Sequence, residues 1–263
     1  MIKTLVAIEV DLASSMAIRY ACELGNLVDL ELYPVYVKEP SSEVPTTGVG
    51  WVRRTWEREL VATGKEEIQE MLAAEMESCP VLKEPRVIYG DREYELLKIM
   101  EHDHFDLYVE GAPYPFTPAN IHHRLHQKFY QHLRTPLIWL RVLRKINQLL
   151  VVCQDPADIK ALLAAINKLW TGCPTPVHLG VVTPAGYSEA LRREAAAARE
   201  ELEAAGCQAS MKEIPAQTAG ELLPEVTKEY GLVAVCLKRD VKKDSPQLQW
   251  LSQVKAPLMV VLQ

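Results

Sequence analysis

Apolar residues recur along this chain in two rhythms. Short consecutive runs such as Leu5-Val6-Ala7-Ile8 and Leu149-Leu150-Val151-Val152 alternate with longer stretches in which apolar positions return every three or four residues. The consecutive runs predict strands buried on both faces, which is the mark of a parallel sheet covered by helices. Further strands are expected at 30–37, 86–89 and 105–109. The helical rhythm is clearest at Ile159, Leu162, Leu163, Ile166, Leu169 and Trp170, and again at Leu191, Ala195, Ala198, Leu202 and Ala205, where Gly206 supplies a left-handed stop. Leu60, Ile68, Met71 and Leu72 share one face of a helix in the first half.

The pattern occurs twice. Arg134-Thr135-Pro136-Leu137-Ile138-Trp139-Leu140 matches Lys255-Ala256-Pro257-Leu258-Met259-Val260-Val261: a basic residue, a small one, proline and an apolar strand. At the openings, Leu5 through Asp11 lies over Leu149 through Asp155. Self-similarity of this kind sets the fold reading before anything else does. It predicts an α/β protein of two tandem Rossmann-like domains, residues 1–144 and 145–263, each a five-stranded parallel sheet flanked by helices. The first copy is longer, with much of the excess between Lys38 and Trp56, where Pro40, Pro45, Gly48 and Gly50 mark a loop. Trp51 and Trp56 after that loop read equally as a lid over a crevice or as a buried anchor.

A formal charge of −6 and a pI near 5.7 argue against a nucleic-acid partner, which needs clustered Lys and Arg. No apolar run approaches the ~20 residues that span a bilayer, so no membrane partner and a cytoplasmic location are expected. The six cysteines are scattered without a CxxC and read as reduced thiols. With no serine elbow and no HExxH, no nucleophile and base can be assembled, so no enzyme is expected and no catalytic residue is assigned.

The opening strand into Asp11, Arg19-Tyr20-Ala21-Cys22-Glu23-Leu24, Gly90-Asp91, Phe105 to Gly111 and Thr135-Pro136-Leu137-Ile138 together resemble the universal stress protein family in its tandem form. Asp155, Glu221-Leu222-Leu223, Tyr230 to Val235 and Ala256-Pro257-Leu258-Met259 carry the resemblance through the second copy. It implies the adenine nucleotide alpha hydrolase-like variant of the fold, a stress-response or regulatory role, and closing strands that meet across an internal pseudo-dimer, with a homodimer as a further option. One subset of the family binds ATP through a loop of pattern Gly, two residues, Gly, nine residues, then Gly with Ser or Thr, whose backbone N–H groups cradle phosphates. Gly111 fills the first place, but Tyr114 stands at the second and Arg124-Leu125 at the last. Leu237, near the matching position of the second copy, is followed by Lys238-Arg239-Asp240, and no glycine follows Gly231.

The resemblance therefore implies a module without the usual ATP site, with no cofactor and an unknown protein partner or sensed small ligand. The alternative is an adenine-nucleotide binder, ATP or AMP, with Val10, Asp11 and Val37 around the base, Gly111 below, and Arg124 or Lys128 reaching the phosphates. A third reading, adenylating chemistry, stays open at the level of fold. Asp11 also reads simply as a helix cap before Ser14-Ser15.

Six of the seven histidines fall between His102 and His132, and His122 and His126 share a helix face at i, i+4. Two ligands do not complete a metal site, so a solvated face is the expected reading and no metal is assigned. Arg124, Lys128, Arg134, Arg141, Arg144 and Lys145 give the join between copies a positive bias, read as solvated charges or as a dock for an acidic partner or an anion.

Overall fold

The structure, a computed structural model, describes residues 1–40, 51–112, 114–183, 189–215 and 225–263. In the first half the order is β1 (Ile2–Ile8), α1 (Leu12–Gly25), β2 (Leu30–Lys38), α2 (Trp51–Ser78), β3 (Arg86–Tyr89), α3 (Arg92–Asp103), β4 (Leu107–Gly111), α4 (Pro118–Leu125), α5 (Lys128–His132) and β5 (Leu137–Leu140). The second half runs β6 (Leu149–Cys153), α6 (Pro156–Trp170), β7 (Val177–Thr183), α7 (Glu189–Ala204), β8 (Ala209–Pro215), β9 (Leu232–Leu237), α8 (Pro246–Gln253) and β10 (Leu258–Leu262).

All ten strands join one sheet in the order β3-β2-β1-β4-β5-β10-β9-β6-β7-β8. Pairing is parallel within each half and antiparallel only at the centre, where Trp139 lies opposite Leu258 and Leu137 opposite Val260. The closing strands of the two copies thus form the seam, as the family resemblance implied. Helices α1, α2, α6 and α7 cover one face around Ile18, Leu24, Ile68, Leu162, Trp170 and Leu202. The other face carries α3, α4, α5 and α8 over Leu96, Leu125, Phe129, Trp139 and Leu251. Covering both faces is why the strand residues read as apolar without alternation.

The seam is reinforced by polar contacts between halves. The buried Tyr20 hydroxyl donates to the Gly231 carbonyl at 2.9 Å, and the Glu23 carboxylate accepts from the Ile146 N–H at 2.9 Å. Lys168 pairs with Asp106 at 2.6 Å, and Arg239 donates to the carbonyls of Tyr130 and Leu133. Two arginines of the basic join are used in the same way: Arg141 donates to the Ser252 carbonyl and lies over the Phe116 ring, and Arg144 donates to the Lys228 carbonyl.

Two sequence expectations are corrected. Cys22 and Cys79 are not free thiols but a disulfide between α1 and the end of α2, their Cα atoms 5.7 Å apart; a separation of 57 residues hid the pair. Cys153, Cys173, Cys207 and Cys236 are free and buried. The segment from Trp51 to Trp56 is the first part of α2, and Trp56, 43% exposed, is no buried anchor. The loop before it, 41–50, lies outside the described residues. The register also fixes the position matching Gly111: Leu140 pairs with Gly111 as Val261 pairs with Cys236, so the counterpart is Cys236, next to Leu237.

Candidate functional site

In an open α/β sheet a ligand crevice forms beyond the carboxyl ends of strands where the strand order reverses. In the first half that point lies between β1 and β4. A cavity of about 240 Å³ opens there, lined by Ala7, Glu9, Asp11, Ser14, Arg92, Gly111 and Arg124. Asp11, following β1, caps α1 by accepting from the Ser14 N–H at 2.7 Å, while the Ser14 hydroxyl accepts from the Glu9 N–H at 2.8 Å. Arg92 opens α3 behind its cap Asp91, and Arg124 sits in the last turn of α4.

Below the cavity lies a buried charge network. Glu110 and Tyr108 share one face of β4 at the strand period of two, and Glu110 is directly opposite Trp139 on β5 and Ala7 on β1. Alanine on one side leaves room, and tryptophan on the other supplies a donor. The Glu110 carboxylate, 1% exposed, accepts from the Trp139 indole N–H at 2.8 Å, the Tyr108 hydroxyl at 2.8 Å and the Tyr130 hydroxyl. Arg124 grips both its oxygens, Nη2 at 2.8 Å and Nε at 3.2 Å, and Arg92 Nη2 stands 3.6 Å away. Nε of Arg92 turns to Glu9 at 2.7 Å. The Arg124 guanidinium also lies 4.5 Å from the centre of the Tyr114 ring.

Burial pushes the Glu110 carboxyl up, but Arg124 and then Arg92 outweigh it and hold it below the ordinary carboxylate range. Against desolvation, Arg124 is raised chiefly by this carboxylate, and Arg92 by Tyr108 and then by it. Glu9 is raised: burial dominates, Arg92 opposes it, and Asp11 and Glu39 add repulsion. Three carboxylates, Glu9 and Asp11 in the lining and Glu110 beneath it, thus face two guanidiniums, which leaves no positive charge in excess.

The candidate ligand residues separate accordingly. Asp11, Gly111 and Arg124 meet at the cavity. Val10 is 55% exposed beside its mouth, and Val37 is buried in the core of β2 rather than in the lining. Gly111 has a packing duty: a Cβ there would stand 2.3 Å from the Ala13 carbonyl oxygen, so glycine lets the first turn of α1 close on β4. Glu9, Arg92, Glu110, Tyr130 and Trp139 escaped the sequence reading. The available signal was Glu110 itself, a charge inside an apolar strand, since such a charge demands buried partners.

The second half carries different chemistry at the matching place. Val235 pairs with Val260 where Glu110 pairs with Trp139. Cys153 and Cys236 are each pushed up to about 12, by burial and then by Asp158. At the end of α4, His122 and the capping His126 stack with ring centres 4.1 Å apart, and among the described residues no three potential ligands gather for a metal. Among those residues no helix is long and apolar enough to cross a membrane.

No protein-family model matches the chain, and no curated protein matches it by sequence. Solved structures do match in fold. A universal stress protein from Archaeoglobus fulgidus superposes with a TM-score of 0.69 at 14% identity, over 99% of this chain and 98% of that one. A functionally unknown protein from Pseudomonas aeruginosa gives 0.56 at 13% identity, over 99% and 92%. Together with the two five-stranded halves joined through β5 and β10, this likeness establishes that the chain has the universal stress protein fold in its tandem form.

Proposed function

We propose that the protein is a non-enzymatic regulatory module of the universal stress type that works without a nucleotide, through a protein partner or a sensed small ligand. The observation that carries this reading is Glu110, which occupies both arginines beside the crevice from within the fold. A phosphate group would meet Arg92 and Arg124 already neutralised by Glu9 and Glu110, with Asp11 at the rim. The glycine that would open a backbone cradle is held against α1 instead. About 240 Å³ also falls below the ~300–1,000 Å³ of ordinary small-molecule sites.

The reading is tested by mass spectrometry of small molecules released from the purified protein, with thermal shifts against ATP, ADP and AMP, with and without magnesium. A nucleotide present at 100 times its Kd would stabilise the fold by about 2.7 kcal/mol. The expected result is no released nucleotide, no shift and no magnesium-dependent turnover. A released adenine nucleotide that also stabilises the fold would favour the other reading, a divergent site in the first half, for which the observation is that Arg124 and Asp11 line one cavity. Turnover without a released ligand would instead favour an enzyme.

A further inference from the structure

Helices α6 and α7 end alike. Each is followed by a glycine with positive φ, Gly172 at 75° and Gly206 at 84°, and each glycine by a cysteine, Cys173 and Cys207. The left-handed glycine turns the chain back under the helix end, so the next side chain points into the core. Both cysteines are buried, at 1% and 5% exposure. Both helices follow parallel strands of one sheet on the same face, so both ends lie at the same edge of the layer. There the two cysteines converge on one acceptor, the Trp170 carbonyl, which takes the Cys173 N–H at 2.9 Å and the Cys207 thiol at 3.4 Å. The Cys207 thiol is raised first by burial and then by Cys173.

The first half has a bond between the corresponding pair of helices. Cys22 lies toward the end of α1 and Cys79 directly follows α2, the helices that correspond to α6 and α7, and the two are joined. We infer that Cys173 and Cys207 form a second, reversible dithiol–disulfide site, the counterpart of Cys22–Cys79, through which a low-molecular-weight disulfide locks α6 to α7. One thiolate of the pair attacks a sulfur of the small disulfide, forms a mixed disulfide and expels a thiolate. The other then attacks the protein sulfur of that mixed disulfide and expels the second. Two protein thiols lose two protons and two electrons, and the small disulfide becomes two thiols. The site is distinct from the crevice, which is lined by residues of the first half around β1 and β4.

The test uses the full chain, incubated natively with oxidised glutathione, then quenched in acid, alkylated and digested without reductant for peptide mass mapping. The expected result is a Cys173–Cys207 linked peptide in most molecules, with Cys153 and Cys236 alkylated as thiols, and a rise of several degrees in Tm that dithiothreitol reverses. Cys207→Ser should abolish both the linked peptide and the rise, whereas Cys153→Ser should leave both. The inference is overturned if Cys173 and Cys207 emerge alkylated or separately glutathionylated, whatever the state of Cys22 and Cys79. A linked peptide that forms only under denaturing conditions overturns it equally.

Discussion

The indole N–H of Trp139 reaches the Glu110 carboxylate at 2.8 Å because the two residues stand directly opposite each other on β5 and β4. That pairing places the carboxylate where two arginines and two tyrosines converge. Removing one member of a buried ion pair leaves the others uncompensated and costs about 3–5 kcal/mol. Glu110→Ala is therefore expected to lose that much in urea denaturation. A loss under 1 kcal/mol would show that the arginines find water instead.

Acid should act through the same group. Glu110 is held below the ordinary value of 4.5 in the folded protein, so the unfolded chain takes up its proton first. Its stabilisation is complete above the ordinary range and drains away as pH falls through the depressed folded value. Glu9 has the opposite sign: raised in the fold, it opposes folding when ionised and relents as pH falls. Its side chain is 41% exposed, so screening leaves it the smaller effect. Stability measured from pH 7 to 3 should thus fall less steeply in Glu110→Gln than in the parent. Parallel curves would assign the acid sensitivity elsewhere.

Gly111→Ala tests whether the crevice glycine serves packing. The new methyl group would meet the Ala13 carbonyl oxygen, a backbone atom that cannot rotate away. Overpacking of this kind costs about 1–3 kcal/mol. The expected signature is a lowered Tm with reduced or lost protection of the α1 amides in hydrogen exchange, and an unchanged Tm would mean that α1 shifts freely.

Tyr20→Phe probes the tie between halves. It removes a buried donor from the Gly231 carbonyl and should cost about 1–3 kcal/mol, the range for an acceptor left unsatisfied. If the halves fold as one unit, urea denaturation stays a single transition at a lower midpoint. Two separated transitions would show that this bond, with Lys168–Asp106, couples otherwise independent units.

Much of the architecture was legible because repetition doubles the signal. The Pro-apolar closings at Pro136 and Pro257 identified the two central strands, and the rhythm through Ile159 to Trp170 matched α6. The candidate site was legible only in part. Asp11, Gly111 and Arg124 are indeed neighbours, but spacing alone does not reveal that Arg124 is already engaged by Glu110. Nor does it pair Cys22 with Cys79 across two helices and a strand, or fix the alignment of Cys236 with Gly111, which rests on strand register. Each miss concerns a long-range contact, which only the packed sheet defines.

The antiparallel seam between β5 and β10 points the carboxyl ends of the two halves in opposite directions. A dimer of identical chains built this way would display the same mouth at both ends. Written into one chain, the two ends are free to differ, and they do: Glu110 and its arginines at one, Val235 with Cys153 and Cys236 at the other. The molecule is therefore polar along its length, with a fixed one-to-one ratio of unlike ends that no subunit exchange can scramble.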